Sequence, residues 1–333
     1  MNPTPAAESF DPSRHASSPA DLPPVEAPTA GFIVQLFVIP AVIVVVVVVV
    51  WLLFGKLAGG EKDAMSYVET IKSPNANWRA AFELTSLIKN NAQLASDPRL
   101  LGELAELLDQ DLNLKTDEKL LQWLTSTLGT FQTLDGIGNS GKKADVVAVL
   151  CKALADTRPE EVRLAAAVSL AQHAARMEGK LTDPRAVKAL VETRSADSLT
   201  VRKLAAFALG FMGGDDATAG LKTMLDDPER DVRYNAALAL GRRDDPAALG
   251  NFKEMLSDAD LEKLYKDTPP AERTSKIESV ELEALNSLNA AAGQGKTSLL
   301  NSLKPEVERL TRSGLISVRS RAQEVLKVLQ NPK

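Results

Sequence analysis

Two glycine runs have the spacing of a phosphate cradle. Gly136-Ile137-Gly138-Asn139-Ser140-Gly141-Lys142 meets both GxGxxG and the GxxxxGK part of a P-loop, and Gly293-Gln294-Gly295-Lys296-Thr297 ends in GKT. Such a run works when its backbone N–H groups close around a phosphate at the point where a strand passes into a helix. Neither run has that setting. Leu120–Leu134 reads as helix and Lys143 stands where a P-loop needs Ser or Thr, while Ala290 replaces the first glycine of the second run and Val280–Ala292 reads as helix. Both are expected to be loops between structural units.

Other chemistry is thinner still. The two histidines, His15 and His173, are far apart in sequence, and each precedes an alanine. No Ser/His/Asp or Cys/His arrangement can be assembled, so no catalytic, metal or cofactor residue is assigned and no enzyme is expected. Cys151, the single cysteine, lies in the apolar run Val146–Leu154 and excludes an internal disulfide. It reads as a small core residue rather than a reactive thiol.

The elements around these residues are helical. Aromatic residues make up 5% of the chain while Ala and Leu abound, which favours stacked small helices over a sheet core. One segment is the clearest: Asp227-Pro228-Glu229-Arg230-Asp231-Val232-Arg233-Tyr234-Asn235-Ala236-Ala237-Leu238-Ala239-Leu240-Gly241. Asp227 reads as an N-cap, Pro228 as the first helical position, and Gly241 as a left-handed close. Val232, Ala236, Ala239 and Leu240 form one stripe of mostly small residues. A single helix cannot bury that stripe, so copies are required.

Copies are present. Val232-Arg233 recurs as Val162-Arg163, Val201-Arg202 and Val318-Arg319, with Trp78-Arg79 as a variant. Three residues after each Arg stands Ala166, Ala205, Ala236 or Ala322, and Phe82 in the variant. Successive Arg spacings of 84, 39, 31 and 86 leave room for one degenerate copy in each long gap, at Lys119 and at Glu281. Seven units result. Asp97-Pro98, Asp183-Pro184 and Asp245-Pro246 open a first helix ahead of the Arg-bearing one, so helix, turn, helix repeats every 40 residues or so. The surplus at Ala259–Glu278, which contains Thr268-Pro269-Pro270, is expected to be a loop inserted between the two helices of the sixth unit.

The pattern D-P-x-x-x-V-R-x-x-A-A-x-A-L-G resembles the HEAT repeat, in particular the short bacterial kind also found in phycobilisome-lyase-like proteins. The resemblance covers roughly Asp63 to Gln330. It implies an α-solenoid whose second helices line a concave face. It also implies that the repeated Arg pairs with an acid of a neighbouring repeat, for which Asp231 and Glu161 stand close in sequence. HEAT-repeat enzymes such as deoxyhypusine hydroxylase use His-Glu pairs as iron ligands, and this chain has none. The alternative the resemblance leaves open is a HEAT-type enzyme or nucleic-acid module, lyase-like or glycosylase-like.

The N-terminal part differs in kind. Residues 1–30 hold seven prolines among Ser, Ala and acids and are expected to be disordered. Residues 31–56 read as a single transmembrane helix. Phe32–Phe54 holds 19 residues of Val, Ile, Leu or Phe, with seven consecutive valines at Val44–Val50 and no charge. That favours insertion by about 6 to 11 kcal/mol and suits a core of about 30 Å. Trp51, Phe54 and Lys56 form the interfacial edge. Lys56, Lys62 and Lys72 on one side against Arg14 on the other place the remainder, residues 61–330, on the cytoplasmic side.

Of 39 bases and 44 acids, one base and four acids precede Gly55, which leaves 38 against 40 in the rest. Such a balance gives no global reason to seek nucleic acid. The expected role is therefore a membrane-anchored scaffold for a protein partner. The expected contacts are polar or aromatic residues of the second helices off the apolar stripe: His173, Arg176, Lys203, Tyr234, Asn235, Arg242 and Arg243.

Overall fold

The structure is a computed structural model that describes residue 31 and residues 39–58, 63–73, 76–114, 117–139 and 141–330. The expected tail of residues 1–30 lies outside the described residues. The chain divides into two compact units, Met1–Glu61 and Lys62–Lys333.

The first unit contains α1 (Ile39–Ala58). Its side chains from Val42 to Val50 are 44–60% exposed, unlike any core residue of the second unit. Among the described residues no helix is long and apolar enough to cross a membrane. The apolar run Phe32–Phe54 is cut by that description, because residues 32–38 and the side chains of 51–58 fall outside it.

The second unit is built from helix pairs. The first helices are α2 (Ala64–Lys72), α4 (Pro98–Asp111), α6 (Val146–Leu154), α8 (Pro184–Glu192), α10 (Gly214–Thr223), α12 (Leu249–Met255) and α16 (Lys304–Leu310). The second helices are α3 (Trp78–Lys89), α5 (Glu118–Leu128), α7 (Glu160–Arg176), α9 (Leu199–Phe211), α11 (Arg230–Arg242), α14 (Pro270–Ala292) and α17 (Ile316–Gln330). Each second helix packs on the next in an unbroken row from α3 to α17. The seven units are those expected, including the degenerate pair at Lys119 and Glu281.

Local chemistry sets the boundaries. Asp97, Asp183 and Asp245 each accept a backbone N–H from two residues on, with Pro98, Pro184 and Pro246 following. Asn77, Asp117, Asp145 and Ser198 cap their helices likewise. The core is small and aliphatic: Ala166, Ala205, Ala236 and Ala322 are fully buried, as are Leu170, Leu209 and Leu240. Small side chains let consecutive helices close on one another.

Four expectations are corrected. The solenoid is not purely helical: β1 (Asp135–Ile137) and β2 (Lys143–Asp145) form an antiparallel hairpin between α5 and α6, with Gly136 opposite Ala144. The hairpin lies on α4 at Gly102, where any Cβ would run into the Ile137 backbone. Asp227 is not the residue before α11, which starts at Arg230: its carboxylate takes the Glu229 N–H ahead of the helix and is shared with Arg202. Nor does Gly241 close that helix: it is helical, and Asp244 takes the left-handed conformation at φ 63°. Gly241 is needed instead for contact, since a Cβ there would strike the Phe252 ring and Ser287.

The fourth correction concerns Ala259–Glu278. It is not a loop. Asp258–Leu264 forms a further helix, α13, and Pro270 starts α14. Two prolines cannot continue a helix, but the second can begin one, where its missing N–H has no partner to lose. The surplus length is therefore α13 plus the first turns of a 23-residue second helix.

Candidate interaction face on the second helices

The repeated arginine folds back onto the turn of its own unit. Arg163 donates through Nε to the Leu154 carbonyl at 3.3 Å and through Nη2 to Asp156 at 2.6 Å. Arg202 donates to the Ala196 and Asp197 carbonyls, Arg233 to those of Asp227 and Pro228, and Arg319 to that of Ser313. Arg202 also reaches across the unit boundary to the Asp227 carboxylate, at 2.9 and 3.3 Å. The acids in use are thus Asp156 and Asp227 rather than Glu161 and Asp231. Arg79 is exposed and lies 5.7 Å from the centre of its neighbour Trp78, with no such bond among the described residues.

Most of the seven nominated contact residues are also inward-turned. His173 is 2% exposed and donates through Nε2 to the Leu128 carbonyl at 3.0 Å, with Arg176 3.4 Å from Nδ1. Burial first, then the Arg176 charge, pushes its pKa down to about 4, so the ring is neutral. Arg176 bonds the Gly129 carbonyl, and burial lowers its pKa. Tyr234 is 6% exposed, bonds Glu254 at 2.9 Å, and has its hydroxyl pKa raised by burial and by that carboxylate. Asn235 donates to the Lys203 carbonyl at 3.3 Å. Arg243 spans Thr218 and the carbonyls of Leu209 and Met212. Lys203 lies 3.5 Å from Asp231. Arg242 sits 5.9 Å from the centre of the Phe211 ring.

His173, Arg176, Asn235 and Arg243 therefore stitch α7 and α11 to backbone in or just after the second helix before each, while Tyr234, Lys203 and Arg242 contact neighbouring side chains. Ser169 on the Thr125 carbonyl and Ser287 on the Leu238 carbonyl do the same, and the Thr85 and Thr127 hydroxyls join α3 to α5 side chain to side chain. Their placement off the small-residue stripe follows from that role: a polar side chain at the helix–helix seam must find a partner there.

Beside their exposed charged residues, several second helices also leave apolar side chains open to solvent. Phe82 is 43% exposed and meets Trp123 of the next unit edge-on, with ring centres 4.8 Å apart. Phe207 is 44% exposed and packs edge-on with Phe211 at 4.9 Å. Val168 and Phe207 occupy the same repeat position, five residues after Arg163 and Arg202, and both are exposed. Sequence reading passed these over because apolar residues were assigned to the core. The signal available was Phe82 in the slot that other units fill with alanine.

The glycine runs are committed to the fold. In the first, Gly138 donates to the Lys142 carbonyl, Gly141 to the Gly138 carbonyl, and Asn139 to the Glu106 carboxylate at 3.0 Å. A carboxylate thus sits where a phosphate would. In the second, the amides of Gly293, Gln294, Gly295 and Lys296 all return to carbonyls at the end of α14. Cys151 is half-buried against the core, and burial pushes its thiol up to about 11. Among the described residues, no three His, Cys, Asp or Glu side chains are grouped to hold a metal ion.

Residues 192–281 match the HEAT-repeat family. No curated protein sequence matches the chain. Among solved structures, an engineered protein is 19% identical over 80% of this chain and 96% of its own, with a TM-score of 0.36. A designed armadillo repeat protein is 22% identical over 68% of this chain and 100% of its own, at 0.35. Human deoxyhypusine hydroxylase in complex with glycerol is 16% identical over 83% and 99%, at 0.30.

Proposed function

We propose that this chain is a membrane-anchored scaffold whose HEAT-like solenoid, residues 61–330, binds a protein partner through the second helices. The observation that supports it is the exposed apolar set Phe82, Val168 and Phe207 on second helices, while polar residues of the seams between second helices, such as His173 and Asn235, are bonded within the fold. Aromatic groups at a surface lose little by being covered, and hot spots of protein interfaces are rich in them. The polar residues named from sequence then serve the face indirectly, by fixing the spacing of the helices that present it.

The anchor rests on composition. Phe32–Phe54 is uncharged and almost wholly aliphatic, and residues 31–56 are the membrane span in this reading. Residues 1–30 form a tail on the far side, and three lysines against one arginine keep the solenoid cytoplasmic. The decisive experiment is proximity crosslinking of the full chain in its own membranes. Phe82→Ala and Phe207→Ala together should lose partners that the wild type captures, while Lys253→Ala on a first helix should keep them. Equal capture by both variants overturns the interaction face. Extraction of the full chain by alkaline carbonate overturns the anchor, and a reporter fused after Lys333 that is active only outside the cytoplasm overturns the orientation.

A further inference from the structure

The sixth unit inverts the charge of the ladder. Where Arg163, Arg202, Arg233 and Arg319 follow a valine, Val280 is followed by Glu281. The two acceptors that Arg163 uses, a carbonyl and a carboxylate two residues on, are still present as the Leu256 carbonyl and Asp258. Arg309 of α16, in the following unit, donates to both of them. The guanidinium is supplied in trans, and the residue at the ladder position is an acid beside it.

That acid is closed off from solvent. Glu281 is 0% exposed, and no N–H or O–H donor reaches its carboxyl, whose side-chain partner is another carboxyl, that of Asp258. An ionised carboxylate in such a place is costly unless paired and hydrogen-bonded, whereas the neutral acid is tolerated. The groups facing it are Asp258 from α13, Arg309 from α16 and Glu278 from its own helix. Arg309 is already bonded to Asp258, and Glu278 accepts from Ser317 of α17. On α11, Arg233 is spent on backbone carbonyls and Asp231 lies against Lys203; on α12, Glu254 accepts from Tyr234; on α17, Arg319 bonds Ser313. Among the described residues no cation is bonded to Glu281; Arg312, on the rim of the neighbouring cleft, is exposed and is not among the groups acting on it. Burial pushes its pKa up to about 9, Asp258 acts in the same direction, and Arg309 opposes them. A cleft of about 470 Å³ whose lining includes Asp258, Glu262, Ile277, Arg309 and Arg312 opens at the edge of this cluster.

We propose that the joint between the sixth and seventh units is a proton-dependent lock. With Glu281 in its acid form, one guanidinium serves one carboxylate, and α13 and α16 are held together over α14. When Glu281 ionises, Arg309 faces two carboxylates, and the buried charge is relieved by Asp258 and α13 moving off so that water reaches Glu281. The sign follows from linkage. The folded joint binds a proton that the unfolded chain releases near pH 4.5, so its stability falls as pH rises from there to about 9.

Hydrogen exchange on the full chain in detergent micelles tests this, with rates corrected for the intrinsic pH dependence. Between about pH 7 and pH 10, protection over residues 258–264 and 304–310 should fall at least about tenfold in the wild type, while residues 184–211 hold theirs. Glu281→Gln keeps the neutral shape and should abolish that loss, and Arg309→Gln should open the same segments at every pH. Unchanged wild-type protection overturns the proposal, as does a loss of the same size in Glu281→Gln. Infrared spectroscopy gives a second reading that does not depend on the variants folding. A carboxylic-acid band at neutral pH that disappears in step with the loss of protection supports the lock, and no such band overturns it.

Discussion

Arg202 holds Asp227 across the boundary between the fourth and fifth units, with side chains 10% and 4% exposed. Asp227 also accepts the Glu229 N–H through the same carboxylate, and gives its backbone carbonyl to Arg233. One residue thereby joins two arginines and two units. Asp227→Ala leaves a buried guanidinium unpaired and should cost about 3–5 kcal/mol. Glu161→Ala, on the acid that sequence proximity suggested for the ladder, should cost little. Denaturant midpoints of the two variants check this, and equal midpoints would remove the ladder role of Asp227.

Gly102 and Gly250 separate contact from conformation. Both are helical, but a Cβ on Gly102 meets the Ile137 backbone, whereas one on Gly250 meets nothing. Gly102→Ala should destabilise by about 1–3 kcal/mol and free the hairpin at residues 135–145. Gly250→Ala should stabilise by about 0.5–1 kcal/mol, through the backbone entropy that glycine loses. Thermal midpoints with hydrogen exchange on the hairpin give the comparison. A hairpin that stays protected in Gly102→Ala contradicts the packing described.

Ala236 and Glu229 test the register of the repeat. Ala236 is fully buried and Glu229 is exposed ahead of α11. Replacing Ala236 with Leu should cost about 1–3 kcal/mol, and Glu229→Gln should stay within about 0.5 kcal/mol. Similar tolerance at both positions would mean that the stripe faces elsewhere.

His173 sets an acid limit. Its folded pKa, about 4, lies below the unfolded value of 6.5. The unfolded chain therefore binds the extra proton, and stability present above pH 6.5 is lost as pH falls toward 4. The loss amounts to about 3 kcal/mol. His173→Gln retains a donor for the Leu128 carbonyl and should flatten that part of the profile. An unchanged slope between those limits would assign the acid sensitivity to other groups.

The repeat, its seven units and its helix pairs were legible because short-range chemistry encodes them: the Asp-Pro openings, the Val-Arg pairs and the alanines at fixed offset. The hairpin was not, since Gly136–Asp145 is held by its contact with Gly102, more than thirty residues earlier. The roles of His173, Tyr234 and Arg243 were hidden for a related reason. A polar residue on a helix reads as surface until the neighbouring helix that accepts its hydrogen bond is in place. Pro269-Pro270 misled by its two meanings, since the same dipeptide that stops one helix starts the next. The exposed face was hidden in turn, because composition cannot tell Phe207, open to solvent, from Phe252, fully buried.

The row from α3 to α17 has a mechanical consequence. Each unit bears mainly on the units before and after it, so under load the units act as springs in series and their compliances add. Tension applied to the two ends of the solenoid would not be shared evenly. It would stretch the softest junction first, and at the joint between the sixth and seventh units the guanidinium bonds run from one unit to the next, through Arg309, instead of staying within one unit. Yielding at that joint would leave the spacing of Phe82, Val168 and Phe207, all on earlier units, unchanged.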